Sequence, residues 1–169
     1  WTNEKYGGYH IREPLEDDVD LTRVGPTQPC GEYMRRFWTP VAMTEQLGER
    51  PVPIRILGED LVVFRDLSGN IGLLHRHCSH RRMSLEYGRI EKHGIRCAYH
   101  GWHFDADGSI LDTPGEPPDS NIKEKICHGA YPVREYKGLV FAYMGPPDEK
   151  PAFPILDSFD IEGHEMIPY

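Results

Sequence analysis

Cysteine is scarce in this chain. Four among 169 residues are too few for a disulfide framework, and a reducing, cytoplasmic setting is the expectation. Long apolar runs are missing as well. The longest, around "LVFAYMG", falls far short of the roughly 20 residues needed to span a bilayer. No basic segment followed by an apolar one opens the chain, so neither a membrane partner nor export is expected. Positive charge is in deficit: 19 Lys and Arg against 27 Asp and Glu leave a net −8. That balance argues against a nucleic-acid backbone as partner. Sustained helical periodicity is lacking too. Seventeen glycines and fifteen prolines exceed average usage, so turns are many and helices few.

Short strand signals fill the space that helices leave. "VPIRIL", "LVVFR" and "IGLLHR" are rich in β-branched and aliphatic residues, and "GED" and "DLSGN" between them read as hairpin connections. Their imperfect alternation suits strands covered on both faces. "GWHFDADGSIL" repeats the pattern with a turn at Asp107–Gly108, and "AYPVREYKGLVFAYMG" gives a last hairpin around Lys137–Gly138. "CGEYMRRFW" reads as a helical turn or two, and "DTPGEPPDSNIKEK" as a Pro-rich loop. The expected division is an N-terminal extension over 1–36, a small antiparallel β domain over 37–146, and a proline-broken connector over 147–169. Trp1, rather than Met, opens the chain, which reads as a piece of a longer polypeptide.

The informative residues are two Cys/His clusters, "HRHCSHRRMSL" and "IRCAYHGWHFD", each at the end of an apolar run. They reduce to Cys78-x-His80, sixteen residues, then Cys97-x-x-His100. Two thiolates and two imidazoles make either a tetrahedral zinc site or a two-iron, two-sulfur cluster. Structural zinc sites usually place two to four residues between paired ligands. The single intervening residue of Cys78-x-His80 instead suits a rhomb of two irons, thiolate on one and imidazole on the other. Trp102 reads as a shield against water. His75 and His77 share a strand face and His103 continues the second strand; all three read as ordinary strand-end or surface histidines rather than spare ligands. His10, His93, His128 and His164 are scattered. Cys30 and Cys127 have no partnering motif and read as inert thiols.

With Tyr99-His100-Gly101-Trp102, Phe104-Asp105 and Gly108, this spacing resembles the Rieske iron–sulfur domain of ring-hydroxylating non-haem iron oxygenases, in particular the phthalate dioxygenase group. "TRVGPTQPCGEYMRRFWTPVAM", "RILGEDLVVFRD", "AYPVREYKGLVFAYMGPP" and "PAFP" extend the likeness over about residues 20–155. Two departures stand beside the ligands: Arg82, where that group more often has glycine, and Ser79, where it often has proline.

The resemblance implies an all-β, Rieske-type antiparallel domain with two cluster-binding hairpin loops. It implies a [2Fe–2S] cluster held by Cys78, His80, Cys97 and His100, and electron transfer as the domain's task. It further implies an NADH-dependent flavin and iron–sulfur reductase as electron source. The electron acceptor would be a mononuclear Fe(II) in a catalytic domain of the same or a neighbouring subunit, in an assembly that is commonly a homotrimer. That iron would activate O₂ to hydroxylate or demethylate an aromatic compound. Catalytic domains of the group carry an Asp-x-x-His-x-x-x-x-His run. Here only His75 and His80 have that His-to-His spacing, and Gly72 stands where the Asp would be. No catalytic residue is therefore assigned. The competing reading is a free-standing Rieske ferredoxin, a carrier rather than part of an enzyme.

Overall fold

The computed structural model describes residue 3, residues 5–10 and residues 16–168. In chain order the strands are β1 (Thr39–Met43), β2 (Val52–Ile56), β3 (Glu59–Arg65), β4 (Ile71–His75), β5 (Arg89–Ile90), β6 (Ile95–Arg96), β7 (His103–Phe104), β8 (Ile110–Asp112), β9 (Ala130–Tyr131), β10 (Val133–Tyr136) and β11 (Leu139–Ala142). They form three antiparallel sheets, ordered β1-β11-β10, β2-β3-β4-β9 and β5-β6-β7-β8. Among the described residues, α-helices are confined to single turns or little more: α1 (Val19–Thr22), α2 (Pro29–Met34) and α3 (Ile122–Lys125). α2 overlaps the first part of the stretch expected to be helical and starts one residue earlier, where Pro29 at its first position supplies a φ suited to a helix start. α1 and α3 lack an apolar period and were not foreseen.

The middle sheet is covered on both faces. Along β3, Leu61 and Val63 enter one core with Leu73, Val140 and Ala142. Val62 and Phe64 enter the other with Leu74, Leu85, Ile95, Trp102 and Phe104. All four β3 side chains are fully buried, which is why this strand reads as a continuous apolar run rather than an alternating one. The hairpin turns sit where glycine punctuation put them. Leu57 and Gly58 both have positive φ at the β2–β3 turn, as do Lys137 and Gly138 at the last, the geometry that matches strand twist in a two-residue connection.

Between β3 and β4, Asp66 is buried and accepts from the amides of Ser68 and Asn70 and from the amide of Gly94. That carboxylate thus staples the middle sheet to the β5–β6 turn. The C-terminal segment makes several contacts with the β domain. Trp38 Nε1 donates to Pro151 O at 3.1 Å, and Phe153 meets Trp38, Tyr136 and Phe141 at 5.1–5.6 Å between ring centroids. Tyr136 donates to Asp160 at 2.7 Å, and Lys137 pairs with the same carboxylate. Aromatic residues in "PAFP" and the last hairpin supply this contact, while residues 150–156 carry no helix or strand.

Candidate metal centre

The two Cys/His segments fold into matching loops. In each, the cysteine amide closes onto a carbonyl five residues on: Cys78 N to Met83 O at 2.9 Å, and Cys97 N to Trp102 O at 2.8 Å. In each, the cysteine carbonyl accepts from the amide four residues on, Arg82 in the first and Gly101 in the second. These fourth residues adopt left-handed backbones, φ +61° at Arg82 and +74° at Gly101. Reversal within five residues is what turns both cysteines inward and leaves the histidines on the loop crests.

The four expected donors come together in two tiers. Cys78 and Cys97 are buried (2% and 4% exposed) in the core that holds Trp102 and Phe104. His80 and His100 lie half-buried at the rim, ring centroids 4.7 Å apart. Trp102 is buried and stacks flat on His80, at 4.9 Å and 6° between planes. Tyr99, largely exposed, lies against His100 at 3.7 Å.

Two observations test whether these residues suit a metal group. First, His100 Nδ1 is buried without a hydrogen-bond partner, as is Trp102 Nε1. A buried polar nitrogen left unpaired is costly unless something else engages it. Second, burial and then the neighbouring Cys97 push the Cys78 thiol up to about 11, although the His80 and Arg81 amides work the other way. Two thiols side by side in an apolar core stay protonated unless a cation replaces the protons. Partial burial, followed by the charges of His80 and Arg81, lowers the pKa of His100 and keeps its ring neutral, as a ligand must be. Among the described residues, no three His, Cys, Asp or Glu side chains stand close enough to hold one ion. The donors are instead split into an inner sulfur pair and an outer nitrogen pair, the partition that a two-iron rhomb uses.

The surroundings hold residues that the sequence did not mark. Arg96 donates to Gly101 O on the second loop at 2.7 Å, and to Glu91 and Asp112. Two arginines hold the Glu91 carboxyl down to about 2, Arg96 first and Arg89 second. His103 is buried, not a surface residue: its Nε2 faces His93 O at 2.5 Å and its Nδ1 faces Arg96 at 3.2 Å. The carbonyl fixes the tautomer, because only an N–H can pair with it. His75 is exposed at the end of β4, its Nε2 3.2 Å from Glu59, and His77 Nδ1 lies 3.2 Å from Arg82 O. The apparently scattered His128 is buried against Phe104 and reaches the first loop through Ser79. No local pattern in "KICHGAYP" signals this, since Ser79 lies 49 positions away. The His10 side chain lies outside what the structure describes. All four cysteines are free thiols.

Comparison with known proteins identifies the family. The profile of the family described as the Rieske [2Fe-2S] domain matches residues 37–137. The tert-butanol monooxygenase / tert-amyl alcohol desaturase oxygenase subunit of Aquincola tertiaricarbonis is 52% identical over 168 residues, 97% of this chain and 36% of that protein. The phthalate 4,5-dioxygenase oxygenase subunit of Pseudomonas putida is 49% identical over 141 residues, 82% of this chain and 32% of that one. This chain therefore spans about a third of the length of these curated relatives. A chain in the solved structure of the reduced complex between oxygenase and ferredoxin in carbazole 1,9a-dioxygenase superposes with a TM-score of 0.58 at 34% identity. That match covers 68% of this chain and 30% of the other. Fold, loop geometry and the family profile lead to one assignment: the chain belongs to the Rieske [2Fe–2S] domain family.

Proposed function

We propose that this domain relays electrons within an aromatic ring-hydroxylating or demethylating oxygenase. In this reading Cys78, His80, Cys97 and His100 hold the cluster. Electrons arrive from an NADH-dependent flavin and iron–sulfur reductase and leave for a mononuclear Fe(II) in a catalytic domain of the same or a neighbouring subunit, in a homotrimer. The division into 1–36, 37–146 and 147–169, and a cytoplasmic setting, belong to the same reading. Among the described residues, no helix is long and apolar enough to cross a membrane.

The observation that carries the proposal is the buried, unpartnered Nδ1 of His100 above a buried thiol pair. A [2Fe–2S] group on two thiolates and two imidazoles accepts and returns one electron, at a potential raised by histidine ligation. The chain's own residues set how that happens. Trp102 and Phe104 keep water from the inner side. The amides of His80 and Arg81, directed at Cys78, stabilise negative charge on its sulfur. His80 and His100 present their outer edges at the rim, so a partner can approach within a short distance of both imidazoles. The test is composition: purified protein should carry two irons and two labile sulfides per chain, the formula of a [2Fe–2S] group. Stoichiometric zinc without sulfide would refute the ligand assignment.

A further inference from the structure

We propose that His128 is a positioning residue for the first ligand loop, acting through the hydroxyl of Ser79. The inference rests on the reading of Cys78 and His80 as ligands. Ser79 is the single residue between them, so whatever fixes Ser79 fixes the spacing and direction of both donors. Its Oγ lies 2.6 Å from His128 Nδ1. The other ring nitrogen, Nε2, lies 2.7 Å from His75 O.

Those partners settle the proton positions. A carbonyl oxygen only accepts, so Nε2 carries the hydrogen and donates it to His75. In a neutral ring Nδ1 is then an acceptor, and Ser79 must donate its hydroxyl proton to it. Burial lowers the pKa of His128, in keeping with a neutral ring. The Ser79 proton is thereby engaged by His128.

His128 is itself held on three sides. Its amide donates to Gly108 O at 2.8 Å, and the next residue, Gly129, accepts from the amide of His75 at 2.8 Å. Phe104 covers the ring at 4.5 Å. Gly108 has φ +88°, and a side chain there would run into the His128 carbonyl, so the β7–β8 turn is shaped to admit this segment. By contrast, the bonds within the first loop are local: Cys78 to Met83, Arg82 to Cys78, and His77 to Arg82. The Ser79–His128 bond joins the ligand segment to a part of the chain 49 positions on. The loop is thus tied to the segment that leads into β9 rather than only to itself.

The experiment compares holo-protein variants for cluster loss to EDTA, visible circular dichroism of the cluster, and thermal unfolding. S79A removes the hydroxyl and leaves the His128 packing intact. H128Q keeps a donor near the Nε2 position for His75 but loses the acceptor at Nδ1. H128N puts its Oδ1 near the Nδ1 position and loses the donor. Losing one net hydrogen bond should speed cluster loss about fivefold to tenfold in S79A and in H128Q, with an altered dichroism spectrum. The double variant should be no faster than either single one. H128N should lose thermal stability yet keep a near wild-type rate of cluster loss. Should H128Q or H128N fail to fold, S79A alone decides. A wild-type rate and spectrum in S79A, or additive effects in the double variant, would reduce His128 to a packing residue. A wild-type protein without cluster overturns the ligand reading and this inference with it; a loaded wild type with indifferent variants overturns this inference alone.

Discussion

Arg82 holds φ +61° at the fourth position after Cys78, where the second loop has Gly101 at +74°. A Cβ in this region crowds the following carbonyl and costs roughly 1–2 kcal/mol. The side chain is exposed, so its removal forfeits little packing. Arg82→Gly should therefore stabilise the folded domain, by less than the full strain because glycine also loosens the unfolded chain; a gain of about 0.5–1 kcal/mol is expected. Gly101→Ala should do the reverse, by about 1 kcal/mol, since its Cβ meets Pro114 only at van der Waals distance and the backbone supplies the penalty. Denaturant unfolding of the two variants measures both, and equal effects of the same sign would contradict the twin-loop account. The four proposed ligands stood out in the sequence because their spacing is local. The departure at Arg82 was visible only as an oddity, and its meaning needed the backbone angle.

At the scale of elements, the paired hairpins were readable because each carries its own signals: glycine or aspartate at the turn, and β-branched runs beside it. The short strands β5 and β6 and the helices α1 and α3 were not. Two to four residues give no period, and such elements exist because neighbours supply their contacts. β5 and β6 depend on Glu91, which follows β5, and on Arg96, which ends β6. Glu91 accepts from Arg96 at 2.8 Å and from Arg89 at 2.5 Å, and its carboxyl titrates at about 2 against an ordinary 4.5. A carboxyl held low contributes stability that is fully present above pH 4.5 and is lost as pH falls towards 2. Glu91→Gln should accordingly cost about 2 kcal/mol at neutral pH, the scale of hydrogen bonds to a charged group. The gap from wild type should close on acidification through that window. Unfolding curves at stepped pH follow it, and a pH-independent gap would assign the loss to geometry instead. The variant also releases Arg96, whose bond to Gly101 O steadies the second loop, so cluster loss should quicken with it.

For the whole molecule, the decisive feature is a middle sheet buried on both faces, with the two Cys/His loops rooted in one of its two cores. The sequence carried this as continuous apolar runs, but not which residues faced which core. That choice depends on pairing between strands far apart in the chain, such as β1 with β11. It also hid the docking of residues 151–160, which turns on Trp38 and Phe153 meeting across the fold. The same scale separates electron transfer from oxygenation. Oxygen activation at a non-haem iron requires open positions on a metal held by two histidines and a carboxylate. The only histidines with the spacing of the group's iron-binding run are His75 and His80. His75 lies beside Glu59, and His80 lies under Trp102 among the proposed cluster ligands. The 169-residue protein, supplied with reductase, NADH, O₂ and a panel of aromatic acids, should therefore be reduced without forming product. Bleaching of the visible cluster spectrum under anaerobic NADH, with no hydroxylated or demethylated compound after aerobic turnover, is the expected pair of results. Product formed at a rate coupled to NADH consumption would mean that residues in this chain assemble an iron site that their spacing conceals.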